Sequence, residues 1–237
     1  MRLILITLCC SLAALAAAAQ EKPSSPKTDL GFDATKVAPP DPMRGKPVAR
    51  VLDQYIYPDQ PWLNRPTSEK DKLLALQYYI LGPLFDRFKE REKFEPTREE
   101  LARLEALFKK RDNETVGLTH LFFYRMLTGK RDPAQHRIDA IVLWKIEREL
   151  FKRYGGVVII SKFRSPMPRD AYRRFLEDAE RTGAFEIFDP KLRQAFFQQL
   201  SLKPRFTVPP EEVNFDIPWW VQLESPGAES SASGPSK

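Results

Sequence analysis

What most narrows the folds open to this chain is the lack of any thiol beyond position 10. Two of its 237 residues are cysteine, and both, Cys9 and Cys10, lie in the apolar stretch that opens the sequence. Arg2 precedes an apolar run over residues 3–15, followed by alanines up to Ala19. A short positive start, a hydrophobic stretch too short to span a bilayer and a small-residue exit predict a cleaved secretory signal over residues 1–19. The cut is expected between Ala19 and Gln20, and the destination is periplasmic or secreted. The alternative, a retained membrane anchor, calls for roughly 17 or more apolar residues and firmer charged flanks. Neither Leu8 before Cys9 nor Cys9 before Cys10 is the small residue that lipidation needs. Cleavage therefore leaves no thiol, which excludes disulfides, thiolate chemistry and zinc–sulfur sites. An ordinary apolar core has to hold the fold.

The composition suits such a core, with 42% hydrophobic and 30% charged residues. The net charge of +6 includes Arg2 and no acid from residues 1–19, so the mature form stands at +5. That small excess on a surface rich in both signs gives no case for nucleic acid as a partner. Residues 20–46 are rich in proline, lysine, serine and aspartate, which predicts a flexible linker. Residues 224–237 are serine, glycine, proline and alanine in the main, which predicts a disordered tail. The folded domain is expected over residues 47–223, with no internal repeat.

Within it, Val48-Ala49-Arg50-Val51-Leu52 and Tyr55-Ile56-Tyr57 read as a short strand or hairpin ending at Pro58. Thr67 or Ser68 caps a helix that carries Glu69 and Asp71 in its first turn, where the amide dipoles favour negative charge. The apolar residues of that helix, from Leu73 to Phe88, cover more than one face. It is therefore either enclosed by neighbours or offers a second greasy face to something else. Gly82-Pro83 in its middle predicts a bend. Thr97 and Glu100 form a capping box for a second helix with a stripe of Leu101, Leu104, Leu107 and Phe108. A short third helix is expected over residues 118–127. A long fourth opens at Asp132-Pro133 and stops at Gly155-Gly156. Val157 to Ile160 is a β-branched run and reads as a strand, and helices over about 168–182 and 190–200 follow. The fold class is mainly α: an orthogonal helical bundle with a very small β element, flanked by disordered ends.

The search for chemistry returns little. His120 and His136 are the two histidines, with no metal-binding motif around them, so no metal and no cofactor are expected. There is no G-x-S-x-G elbow, phosphate loop or dinucleotide fingerprint, since Gly155-Gly156 follows a helix rather than opening one. Acid pairs such as Glu99-Glu100 and Glu147 with Glu149 sit among basic residues at helical spacing, the pattern of solvated ion-pair faces. No catalytic residue is assigned.

Aromatic residues say more. Phe122, Phe123 and Tyr124 are consecutive, Phe196 adjoins Phe197, and Trp219-Trp220 follow Phe215 and Ile217. Consecutive rings cannot share one narrow helical stripe, so some face a second surface. Either a C-terminal strap over residues 208–220 lies across the helices as part of the core, or several rings line a groove for apolar side chains of a client polypeptide.

The order of elements resembles a known family. Val48-Ala49-Arg50-Val51-Leu52 and Gln54-Tyr55-Ile56 look like the opening strand and second apolar stretch of the SurA and PrsA periplasmic folding factors. Leu76 to Phe85, then Phe94-Glu95-Pro96-Thr97-Arg98-Glu99-Glu100-Leu101, resembles the apolar helix and capped helix start that come next. Arg137-Ile138, Lys145-Ile146 and Leu150-Phe151 resemble the later long helix. Together these cover residues 48–154. The family's isomerase module needs about another hundred residues of mixed sheet and helix, against residues 157–200 with one obvious strand here, so the resemblance implies the chaperone part alone. It implies a periplasmic, non-catalytic protein that binds unfolded or exported polypeptides, with no stable membrane span after signal cleavage. The residues expected to bind peptide are Tyr78, Tyr79, Phe85, Phe122, Phe123, Phe196 and Phe197. Two alternatives remain at this point. One is a structural subunit of an envelope complex, docked through a greasy strap over residues 213–220. The other is a peptidyl-prolyl isomerase with an unrecognised site.

Overall fold

The structure, a computed structural model, describes residues 28–61, 63–64, 68–110, 133–160, 166–202 and 207–222. The expected signal, the helix at 118–127 with Phe122 and Phe123, and the tail at 224–237 lie outside them. Among the described residues there are six α-helices and six short strands, so the chain is mainly α.

The first elements form where local signals place them. β1 (Ala49–Val51) and β2 (Gln54–Ile56) make a hairpin in which Arg50 faces Tyr55. Its turn holds Leu52 at φ 50°, a left-handed backbone that is costly for a leucine. Two bonds keep it there: the Leu52 amide donates to Ala184 O at 2.6 Å, and the Arg50 guanidinium donates to Leu52 O at 2.9 Å. α1 (Glu69–Glu92) opens on a capping box in which Ser68 Oγ accepts from the Asp71 amide and the Asp71 carboxylate accepts from the Ser68 amide. Gly82 and Pro83 together disfavour a helix by about 4 kcal/mol relative to alanine. The helix nevertheless runs as one element, because Leu76, Ile80, Leu84 and Phe88 are fully buried along it. α2 (Arg98–Lys110) starts on the Thr97–Glu100 box, with Thr97 N donating to Glu100 Oε2 at 2.6 Å.

α3 (Pro133–Tyr154) is enclosed on two sides, which is why its apolar residues run all round it. Val142, Ile146, Leu150 and Tyr154 face a main core shared with α1, α4 (Arg169–Arg181) and α5 (Pro190–Ser201). Ala140, Ile141 and Trp144 face a second, smaller core with Leu104 and Leu107 of α2 and the two tryptophans of α6 (Trp219–Gln222).

Two three-stranded antiparallel sheets complete the structure. One has the order β2-β1-β5, with β5 (Phe185–Ile187) added to the opening hairpin. In the other, β3 (Val158–Ile160) is flanked by β4 (Pro166–Met167) and β6 (Thr207–Val208). Only β1, β2 and β3 correspond to expected strands. β4, β5 and β6 are two or three residues long; β5 and β6 owe their form to distant partners, and β4 to the neighbouring β3.

The stretch expected as a flexible linker is corrected in part. From Thr28 onward it lies against the domain. Thr28 and Leu30 are 1% and 2% exposed, Phe32 packs on the main core, and the Arg91 guanidinium donates to the Asp29 carboxylate at 3.2 Å. Average composition hides these few anchors. Three residues of the C-terminal strap are core: Phe215, Trp219 and Trp220 are buried, while Ile217 between them is 43% exposed, and Trp220 meets Trp144 edge-on with centroids 5.4 Å apart.

Candidate functional site: two hollows along helix α1

The partly exposed face of α1 borders two hollows. The larger, about 540 Å³, lies between the β1–β2 hairpin and α1. Gln54, Tyr55 and Gln60 line it from the hairpin side, and Tyr79, Pro83, Arg87 and Glu90 from the helix. Tyr55 is held by its ring, stacked on Phe188 at 6.3 Å, and by its hydroxyl, which donates to Ala38 O at 3.1 Å. Arg87 donates to Leu30 O and Gly31 O at 3.1 and 3.2 Å, so the docked N-terminal stretch is fastened to the same helix face.

The smaller hollow, about 80 Å³, lies between α1 and α3. Leu81, Phe85, Val142, Leu143, Ile146 and Tyr172 form its apolar wall, with Gln77, Asp86, Lys89 and Asp139 around it. It has room for about one side chain. Phe85 contacts Tyr172 edge-on at 5.4 Å and Phe175 at 5.8 Å, so the wall is continuous with the main core.

Behind that wall sits a buried acid. Glu147 is 2% exposed, and the Tyr172 hydroxyl donates to its Oε1 at 2.7 Å. Burial pushes the Glu147 carboxyl up to about 8, against the opposing pull of the Tyr172 bond. Burial also raises Tyr172, with the neighbouring Glu147 charge adding to it, and burial raises Tyr78. The group is therefore uncharged at neutral pH. Glu147 does not line the hollow, so its proton is not presented to anything bound there. Among the described residues, no cluster of three or more histidine, cysteine or acidic side chains gathers to hold a metal.

Of the expected peptide-binding residues, Tyr78, Tyr79 and Phe85 lie at these hollows. Phe196 does not: at 1% exposure it is a core residue between α5 and β5, and it offers no surface to a client. Phe197 is half-buried against Phe185 and beneath the Arg193 guanidinium, away from both hollows. The strap over 213–220 cannot dock on a neighbour through Phe215, Trp219 or Trp220, which its own chain already buries. Sequence reasoning missed Gln54, Gln60, Asp86 and Arg87, because polar residues on a hairpin and a helix carry no signal of facing one another. Gly82 was legible only as a helix breaker.

Among the described residues, no helix is long and apolar enough to cross a membrane. Set against known proteins, the chain matches no family model, no curated protein and no solved structure.

Proposed function

We propose that this protein is an exported, non-catalytic holding factor for unfolded polypeptide. Its helices would cross as an orthogonal bundle in the periplasm, and extended client segments would lie in the hollow between the β1–β2 hairpin and α1. The observation that carries this reading is the hollow of about 540 Å³ with its mixed lining, a volume typical of ligand clefts. Tyr55, Tyr78 and Tyr79 supply flat apolar area with a hydroxyl at one end. Gln54 and Gln60 bring amides able to donate to or accept from any peptide backbone. Such a surface suits many sequences rather than one. Burial of client apolar area at about 25 cal/mol per Å² drives binding, less the cost of ordering the client.

The test dilutes a chemically unfolded outer-membrane protein into buffer and follows light scattering with and without the purified protein. Aggregation is expected to slow at near-stoichiometric ratios, and Tyr79→Ala to weaken the effect. If the protein neither slows aggregation nor binds aromatic-rich peptides, the reading falls. Turnover in a proline-peptide isomerisation assay would replace holding by catalysis.

A further inference from the structure

We infer that the two hollows form one binding track crossing α1 at Gly82, and that it takes an extended polypeptide in which an apolar side chain is flanked by lysine or arginine. The inference rests on the holding function proposed above and narrows its substrate class.

Tyr78, Gly82 and Asp86 line both hollows. They stand one helical turn apart, so they form a single row along α1 that separates the hollows. Gly82 is the low point of that row, since it has no side chain and a Cβ added there would meet nothing within 4 Å. A strand resting in the larger hollow has its way over the helix at that point. Beyond it, the apolar α1–α3 hollow is sized for about one side chain.

Charge sets the flanking residues. Asp86, Glu90 and Asp139 border the track against Lys89 and Arg87; Arg87 also donates to the Leu30 and Gly31 carbonyls and pairs with Glu90 at 3.7 Å, which leaves one acid in excess. The border is thus acidic on balance, and a cation beside the inserted apolar residue complements it. Exposed charges act over about 8 Å at physiological salt, so the basic residue has to sit next to the inserted one.

The test is fluorescence anisotropy with a labelled peptide carrying Lys-Leu-Lys in a glycine–serine context, and its Glu-Leu-Glu counterpart. The lysine peptide is expected to bind at least about tenfold more tightly, with the gap closing as salt is raised. Gly82→Trp is expected to weaken it by about tenfold or more, and Asp86→Lys to reverse the preference. Equal binding of the two peptides overturns the acidic border, and wild-type affinity in Gly82→Trp overturns the crossing. Circular dichroism checks that each variant is folded. If Gly82→Trp is not, Gly82→Gln takes its place as the block at the crossing. Suppressed aggregation together with failure of these peptide results sinks the track alone, whereas loss of both sinks the holding function with it.

Discussion

Two glycines, one within α1 and one just after α3, should respond to the same substitution with opposite sign. Gly156 holds φ +94°, and an added Cβ would lie 2.5 Å from Asp170 Cβ and 2.8 Å from its Oδ2. Asp170 cannot yield freely, because that Oδ2 accepts from the Val157 amide at 2.9 Å and so joins the end of α3 to the start of α4. Gly156→Ala is expected to cost about 2 kcal/mol or more, from the left-handed backbone and the overlap together. Gly82 has helical backbone and open space around its Cβ position. Gly82→Ala is expected to stabilise by about 0.5–1 kcal/mol, chiefly by restricting the unfolded chain. Urea denaturation checks both, as opposite shifts of midpoint at unchanged slope. That Gly155-Gly156 ends a helix was legible in the sequence. That Gly156 is pinned by Asp170 was not, because the residue that crowds it comes from the next helix.

At the scale of elements, legibility follows the range of the deciding interaction. α1 and α2 were readable because Ser68 with Asp71, and Thr97 with Glu100, satisfy the helix starts within four residues of chain. β5 was not, since its three residues become a strand only by pairing with β1, from which they are separated by most of the domain. The docked stretch from Thr28 belongs to the same class: the Tyr154 hydroxyl lies 3.0 Å from Thr28 Oγ1, across 126 residues. The candidate site shows the same division. Tyr78, Tyr79 and Phe85 stand out in the sequence as aromatic residues of a greasy helix, while the hairpin residues facing them required the fold. The strap was ambiguous for a related reason, because two adjacent tryptophans look alike whether they face a partner or their own chain. Its burial carries a prediction. Trp220, 1% exposed, fills the second core against Trp144 and Trp219, so Trp220→Ala is expected to cost about 3–5 kcal/mol. Paired with Trp144→Ala, the losses should fall short of additivity by about 0.5–3 kcal/mol, because both variants empty one core. Denaturant midpoints of the four proteins in that cycle measure it.

For the whole molecule, Glu147 ties stability to pH in a direction opposite to an ordinary surface acid. Its carboxyl is raised from 4.5 to about 8 by burial, so between those values the folded chain keeps a proton that the unfolded chain releases. The unfolded state then binds fewer protons, and stability falls as pH rises. The contribution is full below about 4.5, declines through the window and levels off above about 8. Glu100 acts the other way. Burial raises it, but the Thr97 amide and Lys145 outweigh that and hold it below its usual value, so its contribution is lost as pH falls into the carboxylate range. Of the two, Glu147 favours mildly acidic solution over neutrality, and Glu100 limits that gain as the pH falls further. Between pH 5.5 and 8 the Glu147 contribution amounts to about 3 kcal/mol. Glu147→Gln keeps an acceptor for the Tyr172 hydroxyl and removes the titration. The variant is therefore expected to show little change in midpoint across that interval, and to exceed the wild type at pH 8. Urea denaturation at pH 5.5, 6.5, 7.5 and 8 decides the point. Parallel slopes of stability against pH for the two proteins would mean that Glu147 is not the group responsible.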